Sequence, residues 1–292
     1  MGVYLQSLID GLLIGGVYAT IAVGLSLAFG VMRIINWAYG ELLMISMYVS
    51  YVIFSSLGLD PYVIAVITAV IMFGVGYLLQ NTIISNILAR ETAREPVSVL
   101  LFTAGLGMFL SNGVLAIVGS APVSVITKYS GKMLVINDIF ISVPKLISFV
   151  IALLCTLLLY LFLQKSEMGR AIRATAQNRQ VATLMGINQK KIYNIAFGIS
   201  IALVGVSGAL LLPYYTVSYS IGTTFSFKSF IIVVLGGKGS VLGALLGGLI
   251  VGVIEKIGGQ MFSDTYAQMA VFVVFVLVLL FKPNGLLGEK EM

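Results

Sequence analysis

The sequence predicts an all-α fold, a polytopic membrane helical bundle of about eight transmembrane helices with a short re-entrant or broken segment. Hydrophobic residues make up 59% of the chain and charged residues 10%, whereas soluble domains carry about 25% charged residues. Several apolar runs approach the ~18–20 residues that cross a bilayer as a helix. These runs do not alternate apolar and polar residues, as the strands of a membrane barrel do.

The expected spans are eight apolar runs, at residues 11–31, 41–57, 61–79, 97–118, 143–163, 192–212, 241–254 and 266–281. Lipid offers the backbone no hydrogen-bond partner, so each run is expected to be helical. No soluble domain interrupts them, and residues 1–292 are expected to form a single transmembrane domain. The first residues, MGVYLQSLIDGLL, carry no Lys or Arg before the apolar part, which is not typical of a cleaved signal peptide.

A ninth apolar segment, residues 227–235, is too short to span a membrane alone and runs into GGKGS at 236–240. Backbone that is not helical is tolerated at membrane depth only where protein or a water-filled cavity covers it. This region is therefore the expected re-entrant segment. GGKGS lacks the spacing of a phosphate-binding loop, so it is interpreted as a tight turn or as part of a gate, and no nucleotide is expected to bind there.

The distribution of Lys and Arg orients the helices, because basic residues concentrate in cytoplasmic loops. Residues 164–191 hold six basic residues against one acid, Glu167. Alternation then places 80–96, with Arg90 and Arg94, and the C-terminus inside, and the N-terminus, 119–142 and 213–226 outside. The outside loop 119–142 obeys this rule only partly, because it contains Lys128 and Lys132. We expect a multi-pass protein of a bacterial or archaeal cytoplasmic (inner) membrane.

The composition argues against several function classes. The chain has no His and one Cys, Cys155, which lies in an apolar run. Catalysis by His, His metal ligation and a disulfide within the chain are therefore excluded, and no catalytic residue, cofactor, metal or nucleic-acid partner is predicted. Glu41 is the only acid expected near a span centre, which argues against a proton-coupled pump.

Thirty-two glycines are many for a helical protein. Gly243 and Gly247, and Gly248 and Gly252, are spaced four apart, which lets helix backbones approach closely. Packing within the chain and an oligomer seam are both compatible with this pattern.

The segment GRAIRATAQNRQVATLMGI contains a short helix with its own start and stop. Asn178 is a suitable N-cap and Gly186 a suitable C-terminal stop. Val181, Leu184 and Met185 fall on one apolar face. Such a short helix is unstable alone in water. Either the segment lies on anionic headgroups, or it is a docking helix that inserts its apolar face into a cytoplasmic partner.

Four segments together resemble the LivH-type branched-chain amino acid permease family of ABC importers. They are INWAYGELLMISMYVSYVI with Asn36, Ala38, Gly40 and Glu41, MGRAIRATAQNRQVATLMGIN, VVLGGKGSVLGALLGG, and LLFKPNGLLG. The resemblance covers essentially the whole chain. In one departure from the general importer signature, Glu-Ala-Ala followed by Gly, this sequence has Gln180-Val181-Ala182 and then Gly186.

The resemblance implies a cytoplasmic coupling helix that engages an ATPase. The residues expected in this ATPase-coupling loop are Gly169, Arg170, Arg173, Asn178, Arg179, Ala182, Leu184, Met185, Gly186 and Ile187. It also implies a second homologous, LivM-like permease subunit, two cytoplasmic ABC ATPase subunits that hydrolyse ATP, and an extracytoplasmic substrate-binding protein. The expected substrate is a branched-chain or other apolar amino acid. Alternatives are a urea or short-amide importer permease, an ATP-independent secondary transporter or channel, and an intramembrane enzyme.

A second group of residues is expected to line or gate the translocation path. These are Asn36, Tyr39, Gly40, Glu41, Gly236, Gly237, Gly239 and Ser240. Arg33, Asn36 and Glu41 form a polar cluster that either extends to the cytoplasmic interface or is buried. The aromatic residues Trp37, Tyr39, Tyr214, Tyr215 and Tyr219 are interpreted as an interfacial belt, and the outer tyrosines alternatively as contacts for a binding protein.

Overall fold

The computed structural model describes residues 2–90, 97–136 and 139–288. In chain order the elements are α1 (Gly2–Met32), α2 (Tyr39–Leu57), α3 (Pro61–Leu79), a π-helical turn (Gln80–Ile84), α4 (Ser85–Arg90), α5 (Val97–Val118), β1 (Met133–Ile136), β2 (Ile139–Ser142), α6 (Val143–Lys165), α7 (Glu167–Gln177), α8 (Arg179–Leu184), α9 (Gln189–Leu211), α10 (Ile221–Gly236), α11 (Val241–Met261) and α12 (Asp264–Phe281). The predicted helical membrane bundle is confirmed.

Seven helices among the described residues are long and apolar enough to cross a membrane. They are α1, α2, α3 extended through α4, α5, α6, α9 and α11, and they correspond to seven of the eight expected spans. The eighth expected span, 266–281, is the shorter apolar helix α12, so the count of eight is not confirmed. Arg94, expected on the same side as Arg90, lies outside the described residues.

The expected short re-entrant segment at 227–235 is longer than predicted. It is the second half of α10, a continuous helix of 16 residues, about 24 Å at 1.5 Å per residue. Its first part was not recognised in the sequence because Thr223, Thr224 and Ser226 interrupt the apolar pattern of IGTTFS. The helix ends at Gly236, where Gly237 has φ +110° and turns the chain into α11.

Helix α1 is the centre of the bundle and is buried on all sides between α6, α9, α10 and α11. Its glycine face packs on the glycine face of α11. A Cβ added at Gly15 would lie 2.9 Å from the Gly248 carbonyl oxygen, and one at Gly252 would lie 2.5 Å from the Gly15 Cα. The glycine spacing therefore serves packing within the chain.

A β-hairpin, absent from the all-α expectation, lies between α5 and α6. Strands β1 and β2 are antiparallel, with Leu134 opposite Ile141 and Val135 opposite Phe140. The Gln6 side chain of α1 accepts from the Phe140 N–H at 2.8 Å and donates to the Phe140 carbonyl at 2.6 Å. These bonds satisfy the outer edge of β2, and they place the hairpin at the N-terminal end of α1.

Contacts separate the connecting segments into two opposite ends of the bundle. The N-terminal end of α1 lies with the hairpin, and Val123 beside it pairs with Val217 of the segment after α9. The other end of α1 lies with α8 and with the turn between α10 and α11. The residues after α12 reach this same end, since Leu286 donates to the Leu235 carbonyl at 2.8 Å.

We predict that Gly252→Leu lowers the stability of the bundle by about 1–3 kcal/mol, because the added side chain must separate α11 from α1. The measurement is the midpoint of thermal denaturation of the purified protein in detergent. Gly105→Leu on α5 is the matched control, since a Cβ there meets nothing within 4 Å. Equal denaturation midpoints for the two variants would contradict this account of the α1–α11 contact.

Candidate functional site

The short helix predicted between Asn178 and Gly186 is present as α8. The Asn178 side chain accepts hydrogen bonds from the backbone N–H of Gln180 at 3.0 Å and of Val181 at 3.1 Å. At the other end Gly186 adopts φ +83°, in the left-handed region. Ile187 then donates its N–H to the Ala182 carbonyl at 3.1 Å. Both ends of the helix are therefore fixed by the residues that the sequence indicated.

The apolar face of α8 points away from the rest of the chain. Leu184 is 86% exposed, Met185 78% and Val181 53%, whereas Ala182 on the adjoining face is 4% exposed. A six-residue helix gains little stability of its own. Ala182 therefore anchors α8 to the bundle, and three apolar side chains remain uncovered by the described parts of the chain.

Arg179 joins α8 to the end of the central helix. Its guanidinium donates to the carbonyl oxygen of Met32, the last residue of α1, and lies 5.8 Å from the centre of the Tyr193 ring on α9. A cation at a helix C-terminus is favourable because the last carbonyls are unpaired and the helix dipole is negative there. The next residue, Arg33, has φ +54°, so α1 cannot continue past this point.

Helix α7 supports α8 and carries the other arginines of the segment. A Cβ at Gly169 would lie 2.6 Å from the Leu163 Cα, so α7 folds closely back against α6. Arg173 donates to the Gln164 side chain at 3.0 Å, and Arg170 lies 3.8 Å from Glu167. Both arginines are exposed, and contacts of this kind contribute little stability. Their guanidinium groups are therefore accessible to a partner.

The structure decides between the two interpretations of Glu41 and corrects the interpretation of Tyr39. Glu41 is 5% exposed and does not extend to an interface. It accepts from the Thr223 hydroxyl of α10 at 2.9 Å and lies against Gly222 of α10 and Gly107 of α5. Tyr39 is 1% exposed, so it is no belt residue. Its hydroxyl donates to the carbonyls of Ile21 and Ser200, at 3.0 and 3.2 Å.

Three further residues expected on the path, Asn36, Gly40 and Ser240, make backbone or capping hydrogen bonds. The Asn36 side chain accepts from the Ala38 N–H at 3.1 Å, and the Gly40 N–H donates to the Ser226 hydroxyl of α10 at 2.9 Å. Ser240 caps α11 by accepting from the Gly243 N–H at 3.0 Å. Each of these three residues therefore has a structural role.

Two motifs that are distant in sequence meet at the turn between α10 and α11. Leu287 of the C-terminal segment donates to the Gly236 carbonyl at 2.9 Å, and Gly237 and Gly239 both have positive φ. A Cβ at Gly30 would lie 2.8 Å from the Gly239 Cα, so α1 also touches this turn. A narrow cleft lies beside it, lined by Asn36, Trp37 and Lys238. Of the predicted path residues, Asn36 lines this cleft.

The sequence interpretation missed a charged network at membrane depth. Lys228 of α10 forms a 2.7 Å ion pair with Glu255 of α11 and donates to the Tyr18 hydroxyl of α1 at 3.0 Å. The Tyr18 hydroxyl also lies 2.7 Å from that of Tyr215 and 3.2 Å from Glu255. Glu255 was overlooked because the expected span ended at residue 254. A single Lys within FSFKSFIIVVLG was the signal that could have revealed the pair.

The outer tyrosines are also more buried than a lipid-facing belt requires. Tyr214, Tyr215 and Tyr219 are half-buried and pack on the core. The Ser111 hydroxyl of α5 lies 3.5 Å from the Tyr219 carbonyl.

Comparison with known proteins identifies the family. The model of the branched-chain amino acid transport system permease component matches residues 7–281. Over 301 residues, 99% of this chain and 97% of the relative, the chain is 33% identical to the high-affinity branched-chain amino acid transport system permease protein BraD of Pseudomonas aeruginosa. Over 300 residues, 99% and 96% of the two chains, it is 33% identical to the corresponding LivH of Escherichia coli (strain K12).

A more distant relative is the probable branched-chain amino acid transport permease protein LivM of Methanocaldococcus jannaschii, 31% identical over 183 residues, 51% of this chain and 52% of that protein. No solved structure matches the chain. The resemblance found in the sequence is thus confirmed, and the chain belongs to the family of permease components of branched-chain amino acid transport systems.

Proposed function

We propose that this chain is the membrane-spanning permease subunit of an ABC importer that carries branched-chain or other apolar amino acids across the cytoplasmic membrane. The observation that carries the proposal is the exposed apolar face of α8, on a helix capped at both ends. It lies in the segment whose six basic residues favour a cytoplasmic position. The names of the LivH and BraD relatives support the substrate class.

The remaining subunits of the importer are proposed from the family. A second, LivM-like permease completes the translocation path, and two cytoplasmic ATPases hydrolyse the ATP. An extracytoplasmic binding protein delivers the substrate to the end of the bundle that carries the hairpin and the N-terminus. The basic loop 164–191 and the C-terminus face the cytoplasm.

In this proposal α8 inserts Leu184 and Met185 into a groove on an ATPase, in the way that amphipathic helices bind grooves. The exposed Arg170 and Arg173 fix its orientation through charge. When ATP draws the two ATPases together, α8 moves with them. Arg179 transmits that motion to α1, because its guanidinium holds the Met32 carbonyl. Since α1 packs closely on α11, the two helices tilt together and change the side to which the path opens.

The direct test is reconstitution of this chain with its permease partner, the ATPases and the binding protein in liposomes, followed by uptake of labelled leucine. Uptake that requires both ATP and the binding protein is the expected result. Leucine uptake by this chain alone without ATP would identify a secondary transporter instead. Transport of urea in place of leucine would assign the chain to the amide importers.

We predict that Leu184→Asp reduces uptake at least about tenfold, since a carboxylate at the centre of an apolar contact is desolvated without a partner. The ATPases should no longer co-purify with the permease, while the amount of permease in the membrane stays normal. Thr183→Asp is the matched control, because it adds the same charge on the opposite, exposed side of α8. If Leu184→Asp retains full uptake, α8 is not the ATPase contact.

We predict a different outcome for Arg179→Gln, which breaks the contact with Met32 and leaves the apolar face of α8 intact. The ATPases should still co-purify and hydrolyse ATP, but fewer leucine molecules should enter per ATP hydrolysed. Lys190→Gln removes the same charge from an exposed position nearby and should leave that ratio unchanged. A normal ratio in Arg179→Gln would show that force reaches α1 by another route.

A further inference from the structure

The ion pair of Lys228 and Glu255 lies well inside the bundle. Lys228 is seven residues from the start of α10 and Glu255 six residues from the end of α11, which is about 10 Å along each axis. Both positions are measured from the same end of the bundle, the one with the N-terminus and the hairpin. The two charges therefore lie at matching depth, about one third of the way into a ~30 Å hydrocarbon core.

Helix packing alone does not account for charges at this position. Removing two charges from water costs several kcal/mol each, and well-packed apolar residues commonly replace such a pair without loss of stability. Charged residues at membrane depth therefore point to a pathway or a ligand. The aromatic surroundings strengthen the argument, because Lys228 lies 4.2 Å from the centre of the Tyr18 ring and 5.4 Å from that of Phe225. These rings favour a cation that has lost part of its water.

The pair remains accessible from one side. The Lys228 and Glu255 side chains keep 12% and 18% of their surface exposed. Around the first turn of α10, Ser220 and Thr224 are exposed, whereas residues 231–236 at the other end of the helix are buried. Exposed hydroxyls are not what a helix presents to lipid tails. They form a polar strip that leads from the outer end of the bundle to Lys228.

We propose that Lys228 and Glu255 form a transient binding site for the charged backbone of an α-amino acid on its way through the permease, an inference that rests on the proposed function. Lys228 receives the carboxylate and Glu255 receives the ammonium group. The Tyr18 hydroxyl, which already contacts both side chains, supplies a hydrogen bond to either end. The site recognises the zwitterion, and the binding protein selects the side chain.

The geometry suits a site that must fill and empty repeatedly. Without substrate each charge neutralises the other at 2.7 Å, so neither is left buried and unpaired. A zwitterion carries one charge of each sign two bonds apart, so it can enter between the partners and pair with both without changing the net charge. The broken ion pair offsets part of the new interactions, so binding stays weak and release is fast.

The test measures the thermal denaturation midpoint of the purified permease pair in detergent, without binding protein, at increasing L-leucine concentrations. In the wild type, saturating leucine should raise the midpoint by about 2 °C. Leucinamide, which lacks the carboxylate, and 4-methylpentanoate, which lacks the ammonium group, should produce no rise. Lys228→Met and Glu255→Gln should abolish the leucine-dependent rise and, in the complete importer, slow uptake at least about tenfold.

The control for a purely structural ion pair is Asp10→Asn. Asp10 of α1 and Lys145 of α6 form a 2.9 Å pair of similar burial, with 22% and 23% of the side-chain surfaces exposed. Its loss should lower the midpoint without leucine but leave the leucine-dependent rise intact. The inference is overturned if Lys228→Met and Glu255→Gln keep the rise, if leucinamide produces it equally, or if the wild type shows none. If the complete importer carries leucine with ATP but the permease pair shows no leucine-dependent rise of the midpoint, only this inference fails. If the complete importer carries no amino acid, the proposed function fails too.

Discussion

The structure depends on the close contact of α1 with α11, because every other functional element is placed by these two helices. Lipid supplies no hydrophobic force between apolar helices, so their association relies on packing at short distance. Gly15 on α1 and Gly248 and Gly252 on α11 permit that distance by omitting the side chain. Once α1 is enclosed in this way, it touches both the outer charged network and the inner basic segment.

Helix α1 connects the proposed substrate site and the proposed ATPase contact. Its middle carries Tyr18, which contacts Lys228 and Glu255, and its end carries Met32, whose carbonyl binds Arg179. A displacement imposed at α8 therefore moves Tyr18 relative to α10, unless the whole bundle moves as one. The ion pair on α10 and α11 would then open or close as α1 tilts. Under the two proposals, movement of the ATPases and release of the zwitterion are parts of one rearrangement.

The sequence predicted the elements that follow from local chemistry and missed those that need tertiary contacts. The cap at Asn178, the stop at Gly186 and the apolar face of α8 depend on neighbouring residues, so they could be identified from spacing. Seven of the expected spans correspond to spanning helices for the same reason. The burial of Glu41 and Tyr39 could not be predicted, because it depends on α5, α9 and α10 packing over the segment after α1. The full length of α10 was missed because Thr223, Thr224 and Ser226 lower the hydropathy of its first turns, which pack against other helices of the bundle.

The energetics of transport favour the two proposed sites, a weak polar one and an exposed apolar one. A tight site within the membrane would trap the substrate, since each 1.4 kcal/mol of affinity slows release about tenfold. Pairing Lys228 with Glu255 in the empty state lowers affinity without leaving a charge unpaired. The proposed ATPase contact of α8 has the opposite requirement, because it would have to stay bound while force passes through it. Leu184 and Met185 suit that requirement, because an apolar contact that buries them would depend little on ionic strength.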